Sequence, residues 1–227
     1  MQQVSVIEGL FAAKPKPFGK RGAPSSIVKK PQSLLNITFD GAEEDEQGNK
    51  KLHGGPYMAI HQYSQSSYEK LQKTFPDIAG KFYFGSIGEN ISAPNMDEEN
   101  VFIGDQYKIG KAILQVVSPR APCSKINDRY GLKKIDHYIA EQKITGWYFS
   151  VIEEGRIHLG DKVELINRVN NPISVQQIWY LRQLKAPFEN IDLNLALANQ
   201  AFDEPALSPE WQAYIHRVIN KLTAAKA

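Results

Sequence analysis

The chain has 227 residues, of which 42% are hydrophobic and 23% are charged, and its formal net charge is only +2. This composition excludes collagen-like and wholly disordered chains, and the length suits one domain of about 150 residues with a smaller appendage. The near balance of charge gives no whole-molecule attraction to nucleic acid, so we expect no nucleic-acid polymer as a partner and anion binding only by individually placed residues.

The cysteine count and the apolar runs limit the compartment. A single cysteine excludes an intramolecular disulfide framework. No apolar run approaches the roughly 20 residues that a membrane helix needs, and the first residues, MQQVSVIEGLFAAK, lack the pattern of a signal peptide. We therefore expect a reducing, cytoplasmic location and no membrane partner.

The first part of the chain, residues 1–169, has the pattern of many short strands. Apolar residues alternate with polar ones or form short runs between turn residues, which favours a mainly antiparallel β structure. The segments are VSVIEG, SLLNITFDG, YMAIHQY, NVFIGDQYKIG, AILQVVSP, WYFSVIEEG and KVELINRV. Two near copies, IGDQYKI at 103–109 and LGDKVEL at 159–165, each place a Gly-Asp turn before a strand. We interpret both turns as structural.

Two helices are predicted within this β-rich part. The segment SQSSYEKLQKTF places Tyr68, Leu71 and Phe75 at helical spacing and stops before a proline. The segment GLKKIDHYIAEQ places Ile135 and Ile139 on one face. We expect both helices to cover the strands.

The periodicity becomes helical from residue 172 onward. Ser174 and Gln177 form a capping box, DLNLALANQAF predicts a second helix, and Ser208 followed by Pro209 predicts the start of a third with a long apolar stripe. We predict a three-helix domain at 172–227 after a first domain at 1–169. Because about 55 residues are few for an independent core, the helices should pack against the first domain or a second subunit, which leaves a homodimer open.

The only cysteine, Cys123, lies in SPRAPCSKIN between two prolines, with Arg120 and Lys125 close by in sequence. A thiol reacts or binds metal as the thiolate, which nearby cations favour. The prolines restrict a loop that follows the strand AILQVV, and a restricted loop at a strand end suits ligand binding. The residues alone leave two interpretations open: a ligating thiol, and a buried small residue, which is the commoner role of a lone cysteine.

The segment KKLHGGPYMAIHQYS contains two histidines. His53 precedes a Gly-Gly-Pro turn, and His61 follows within a predicted strand. With Asp45, Glu46 or Glu89 they could form a divalent metal site. No compact histidine spacing supports such a site, and a hydrogen-bonded histidine is the commoner outcome.

Two further segments could bind polar ligands. FGSIGENIS places Glu89 and Asn90 before a strand, where they could contact a polar heterocycle or simply form a turn. KPKPFGKRGAPSSI, with Lys20 and Arg21 near its centre, could surround a phosphate. A solvated loop is the usual structure for such a basic run.

Taken in order, these segments resemble the MOSC domain, a family named for the C-terminal domain of molybdenum cofactor sulfurase. The matching text lies within residues 20–168 and comprises DEQGNKKLHGGPYMAIHQY, FGSIGENIS, VFIGDQYKIGKAILQVVSPRAPCSKIN and GWYFSVIEEGRIHLGDKVELI. The YiiM-like subgroup of this family also carries a small C-terminal three-helix domain. The resemblance implies a mainly β (α+β) fold, a closed antiparallel β-barrel with interspersed helices, that binds the molybdenum cofactor (molybdopterin), a pterin with a dithiolene and a phosphate.

The resemblance also implies roles for individual residues. Cys123 would be the protein thiolate on molybdenum. His53 would hydrogen-bond the cofactor or donate a proton as an N–O bond breaks. The other residues expected to bind the cofactor have charged, imidazole or amide side chains in or beside the matching segments: Lys20, Arg21, His61, Glu89, Asn90, Arg120, Lys125 and Asn127.

Relatives in this family reduce small N-hydroxylated compounds, namely hydroxylamino-purines, amidoximes and hydroxylamines, with electrons from a separate reductase. The sequence contains neither a G-x-G-x-x-G fingerprint nor a set of iron-sulfur cysteines. This fits an outside flavin-containing or ferredoxin-type electron donor. Two other functions stay open: a non-catalytic module that carries the cofactor or its sulfur, and a barrel that serves only as a scaffold.

Overall fold

The computed structural model describes residues 2–49 and 54–226. The α-helices in these ranges are α1 Gln65–Thr74, α2 Lys125–Tyr130, α3 Ile135–Glu141, α4 Val175–Gln183, α5 Ile191–Phe202 and α6 Pro209–Lys226, and two 3₁₀ helices cover Pro56–Met58 and Pro76–Lys81. The strands are β1 Gln2–Val6, β2 Gly9–Ala12, β3 Lys16–Phe18, β4 Ala23–Ser25, β5 Lys30–Pro31, β6 Leu34–Thr38, β7 Gly41–Ala42, β8 Ile60–Gln62, β9 Ile91–Ser92, β10 Gln106–Ile109, β11 Ala112–Pro119, β12 Trp147–Glu153, β13 Gly155–His158 and β14 Lys162–Asn167.

Nine strands form one large sheet in the order β1-β14-β10-β11-β12-β8-β9-β2-β5. The sheet curls into a half-barrel, accompanied by a three-stranded sheet, β13-β6-β7, and by the hairpin of β3 and β4. Neighbouring strands of the large sheet are antiparallel except β8 and β9, which pair in parallel through Gln62 and Ile91. Helix α1 lies in the connection between these two strands, as a parallel pair requires a crossover.

The mixed α+β fold predicted from the sequence is confirmed, but the closed antiparallel barrel is not. The ends of the large sheet, β1 and β5, do not pair with each other in the described ranges. Strand β5 has only two residues, and Pro31 lacks the backbone N–H that a further strand would need. The half-barrel therefore stays open at this edge.

The two near-copy segments form neighbouring strands. Strands β10 and β14 pair antiparallel, with Tyr107 opposite Leu165. In the turn before each strand an aspartate, Asp105 or Asp161, accepts a hydrogen bond from the backbone N–H three residues earlier, at 3.1 and 2.7 Å. The same side-chain device closes both turns, which supports their structural interpretation.

Helices α1, α2 and α3 cover a second apolar cluster beside the half-barrel. The two helices predicted for this part of the chain are present as α1 and α3. Ser64 caps α1 by accepting a hydrogen bond from the Ser67 N–H at 3.1 Å. The buried members of the cluster are Ile27, Tyr63, Tyr68, Leu71, Phe82, Ile87, Ile126, Tyr130, Ile135, Ile139 and Ile144.

The three C-terminal helices pack onto the large sheet and share its main core. Helix α4 begins with the predicted capping box of Ser174 and Gln177, and α6 begins at Pro209 as predicted. The indole N–H of Trp179 donates to the Ala140 carbonyl at 2.8 Å, which joins α4 to α3. Packing against the first part of the chain is therefore observed, whereas the division at 1–169 and 172–227 stays a prediction.

None of the helices in the described ranges combines the length and the apolar character needed to span a membrane.

Candidate functional site

A cleft opens where β11 ends and where β8 lies beside β12. Strand β11 leads into the loop from Arg120 to Cys123, and the Arg120 N–H donates to the Gly146 carbonyl at 3.0 Å, which holds this loop against the start of β12. The cleft brings together five residues predicted from the sequence, which are His61, Asn90, Arg120, Cys123 and Lys125.

Cys123 and Arg120 supply a thiol and a cation to the same cleft. Cys123 is a free, half-buried cysteine, so its sulfur is accessible without being fully solvated. The Arg120 side chain is 8% exposed, and its Nη1 has no hydrogen-bond partner among the described residues. A buried guanidinium group with a free donor is costly unless an anion binds there. The pair therefore suits a ligand that is both anionic and thiol-binding.

His61 and Tyr148 form part of the inner wall. They lie opposite each other on β8 and β12, with ring centroids 5.3 Å apart. Burial lowers the pKa of His61 well below its usual value, and the Arg120 charge lowers it further. Burial raises the pKa of Tyr148 against the opposing effect of Arg120. At neutral pH the wall therefore presents a neutral imidazole and a protonated phenol.

A hydrogen-bonded network around Asp45 fixes the other wall. Lys29 forms an ion pair with Asp45, and the two side chains are 5% and 8% exposed. The Asp45 carboxylate also accepts hydrogen bonds from the Ala13 N–H at 2.8 Å and from the Asn90 side-chain amide at 2.9 Å. Asn90 also accepts a hydrogen bond from the His61 N–H at 3.1 Å. The side-chain amide of Asn90 therefore links the wall that contains Asp45 to the wall that contains His61.

No sequence pattern predicts Lys29 or Tyr148 as site residues, and the sequence suggests Asp45 only as a metal ligand. Lys29 is followed by the chemically identical Lys30, which is exposed. No local pattern separates the two lysines. The burial of Lys29 depends on the position of Asp45, which is 16 residues away.

Four predicted residues lie outside the cleft lining. Lys20 and Arg21 are exposed in the turn between β3 and β4. Asn127, on α2, exchanges hydrogen bonds with Asp136 at 2.8 and 3.2 Å. Glu89 is fully buried and accepts hydrogen bonds from two hydroxyl groups and one backbone N–H. Their proposed cofactor contacts stay predictions.

His53 lies outside the described residues. Within residues 2–49 and 54–226, no group of three or more His, Cys, Asp or Glu side chains is placed to hold a metal ion. Within the described residues, His61 therefore does not form a divalent metal site with Asp45, Glu46 or Glu89.

Glu98 supports the cleft from behind. Its side chain accepts hydrogen bonds from the Gly146 N–H at 2.7 Å and from the Ser67 hydroxyl at 3.1 Å. The residue is 3% exposed, and burial raises the pKa of Glu98 from 4.5 to about 7, with Asp97 adding to the rise. Glu98 therefore couples the stability of the site to pH.

We predict that the free energy of unfolding falls as the pH rises from about 4.5 to about 7, because folded Glu98 keeps a proton that the unfolded chain has lost. Since one pKa unit corresponds to about 1.4 kcal/mol, the loss attributable to Glu98 amounts to about 3 kcal/mol. Urea unfolding at several pH values, compared between the wild type and Glu98→Gln, measures it. Glu99→Gln, at the exposed neighbour, is the control. An identical pH dependence in the wild type and in Glu98→Gln would contradict the prediction.

The donor set of the cleft fits the molybdenum cofactor. A thiolate is a soft ligand that suits a sulfur-bound, redox-active metal. Arg120 and Lys125 provide cationic groups for a phosphate. The cleft therefore presents a thiol and cationic groups, which suit an anionic, thiol-binding ligand, on a curled α+β half-barrel.

Comparison with known proteins assigns the family. Residues 49–164 match the MOSC domain, which is about half of the chain, and the chain belongs to the MOSC domain family. It is 35% identical to "Protein YiiM" of Escherichia coli (strain K12), over 77% of this chain and 75% of that protein. The crystal structure of YiiM from Geobacillus stearothermophilus superimposes with a TM-score of 0.74 at 27% identity, covering 96% of this chain and 98% of that one.

A third relative is named "Reductase", from Gibberella moniliformis (strain M3125 / FGSC 7600). It is 35% identical over 63% of this chain but only 25% of its own length. The family associates the present chain with the molybdenum cofactor.

Proposed function

We propose that the protein is a molybdenum-cofactor-dependent reductase of small N-hydroxylated compounds, including hydroxylamino-purines, amidoximes and hydroxylamines. The observation that carries the proposal is a cleft that contains both the half-buried Cys123 and the buried guanidinium group of Arg120. The Nη1 atom of that guanidinium group has no hydrogen-bond partner among the described residues. The relative named "Reductase" supports the class of reaction. A scaffold without a site would need neither the accessible thiol nor the buried cation.

In this proposal Cys123 holds the metal, while Arg120 and Lys125 bind the cofactor phosphate. When bound, the cofactor supplies a metal centre that passes two electrons to the substrate. His61 stays neutral because burial and Arg120 lower its pKa, so it can accept a hydrogen bond without adding positive charge. Tyr148 packs against His61 and helps to exclude water from the reacting atoms.

The reaction needs an outside source of electrons. Converting R–NH–OH to R–NH₂ and water breaks the N–O bond and consumes two electrons and two protons. The sequence contains no dinucleotide fingerprint, and its single cysteine cannot hold an iron-sulfur cluster. We therefore propose a separate flavin-containing or ferredoxin-type protein as the electron donor.

The test uses protein purified from a host that makes the molybdenum cofactor, with the same host disabled in cofactor synthesis as the control. We expect molybdenum in the first sample only, together with reduction of benzamidoxime and 6-hydroxylaminopurine by reduced methyl viologen. Molybdenum without turnover would favour the non-catalytic cofactor carrier. Protein without molybdenum from the competent host would overturn the proposal.

A further inference from the structure

Lys29 is a buried ammonium group in the wall of the cleft. Its side chain is 5% exposed and pairs with the equally buried Asp45. Both residues line the cleft together with Cys123 and His61. Burying an ion pair is costly, and the hydrogen bonds of Asp45 to the Ala13 N–H and the Asn90 amide do not themselves require a lysine at position 29. The position of this pair in the same cleft as the thiol therefore suggests a chemical role.

The inference rests on the proposed reductase function, whose reaction consumes protons inside this cleft. When the N–O bond of R–NH–OH breaks, the oxygen leaves as water after gaining one proton, and the nitrogen gains the other. The two electrons come from the outside flavin or iron-sulfur carrier. A group beside the substrate must therefore hold a proton at neutral pH and release it as the bond breaks.

Four other groups that line the cleft are poor donors. The lowered pKa of His61 leaves it without the extra proton, and the raised pKa of Tyr148 means that its phenol releases a proton only reluctantly. The guanidinium group of Arg120 does not deprotonate in proteins. Lys125 donates to the Pro24 carbonyl at 2.6 Å, and in the proposed function its ammonium group also binds the cofactor phosphate.

We propose that Lys29 Nζ is the proton donor of the cleft, which gives its proton to the oxygen that leaves as water, while Asp45 holds the ammonium group in position. After the transfer Lys29 is neutral and takes a proton from solvent through the open cleft. The second proton, for the nitrogen, comes from solvent.

The surroundings of Lys29 suit a reversible donor. Burial lowers the pKa of Lys29, and the carboxylates of Asp45 and Glu89 oppose that effect. The nearby His61 is neutral and adds no charge. Burial can lower the pKa of a lysine enough for it to act as an acid or a base, so Lys29 can hold a proton and still release it. Turnover should therefore decline as the pH rises through the pKa of Lys29.

The first test measures the titration of Lys29 without cofactor. Protein from the cofactor-deficient host is labelled at the lysine side chains, and NMR follows each lysine signal with pH. Lys29→Arg identifies the Lys29 signal by its disappearance, and Lys30→Arg does the same for the exposed neighbour. We expect the Lys29 midpoint to lie below the ordinary lysine range. A midpoint within that range would overturn the proposal.

The second test compares loaded variants. Lys29→Arg keeps the charge and the ion pair but cannot release a proton at neutral pH, so we expect kcat to fall by about 100-fold with unchanged KM and molybdenum content. The alkaline limb that the wild-type kcat shows should be absent from Lys29→Arg. Lys30→Arg is the matched control and should behave as the wild type. Added ethylamine should partly restore turnover in Lys29→Ala.

The outcomes separate the two proposals. If Lys29→Arg turns over substrate as fast as an active wild type, only the role of Lys29 as proton donor is overturned. Loss of molybdenum from Lys29→Arg would show that Lys29 binds the cofactor and would also overturn that role. A molybdenum-loaded wild type without any turnover overturns the proposed function, and the role of Lys29 with it.

Discussion

Cys123→Ala is expected to lower the molybdenum content of the purified protein by at least about tenfold, since loss of a direct ligand should cost no less than loss of an outer-shell contact. Cys123 is the only cysteine of the chain, so no other thiolate can replace it. Cys123→Ser should lose the metal as well, because the ligand is the thiolate and a serine hydroxyl stays protonated at a pH where a thiol can ionise. Metal analysis per mole of protein, after expression in a host that makes the cofactor, measures the effect.

Because of the position of Cys123, a loss of molybdenum in this experiment can be distinguished from a loss of folding. The residue is half-buried in a loop, so its truncation should change the free energy of unfolding only slightly. Ser124→Ala, at the exposed neighbour, is the matched control and should keep its molybdenum. A Cys123→Ala protein with wild-type molybdenum content would remove Cys123 from the site and, with it, the proposed basis of function.

Local patterns in the sequence predicted most elements of the fold. Alternation located the long strands, and the spacing of apolar and capping residues located α1, α3, α4, α5 and α6. Closure of the barrel could not be predicted in the same way, because it depends on pairing between distant segments. The parallel contact of Gln62 with Ile91 joins segments that are distant in the sequence, and Pro31, although visible in the sequence, does not show that β5 is the last strand of the sheet. The sheet is a half-barrel because its end strands, β1 and β5, do not pair with each other in the described ranges.

The candidate site was predictable only where several reactive or charged side chains occur in one short segment of the sequence. The lone Cys123 between Arg120 and Lys125 attracts attention in the sequence, and the structure places all three on one cleft. Lys20 and Arg21 attracted attention for the same reason, yet they lie in an exposed turn. A basic residue in a sequence thus indicates a positive charge, but not whether its side chain lies in a cleft or in solvent. Only tertiary structure determines which charge is buried.

Gly146 shows how closely the backbone packs behind this site. Its φ angle is +72°, and an added Cβ atom would lie 2.6 Å from the Gln62 carbonyl oxygen and 2.9 Å from both His61 Nε2 and Tyr63 Cδ2. Gly131, at the end of α2, has a nearly identical φ of +73° but no atom within 4 Å of the same position. The two glycines therefore share a conformational requirement and differ in available space.

Gly146→Ala is accordingly expected to lower the free energy of unfolding by at least about 3 kcal/mol, whereas Gly131→Ala should cost about 1 kcal/mol, the usual penalty for a left-handed backbone. The difference arises because the new methyl group at position 146 must displace β8 or the His61 ring. Since a displacement of β8 or of the His61 ring would alter the cleft, Gly146→Ala should also lose molybdenum at temperatures where it remains folded. Urea unfolding of the two variants beside the wild type measures the energies, and metal analysis measures the occupancy. Equal losses of stability in the two variants would mean that the backbone behind the cleft can yield, and that His61 is not held rigidly by its neighbours.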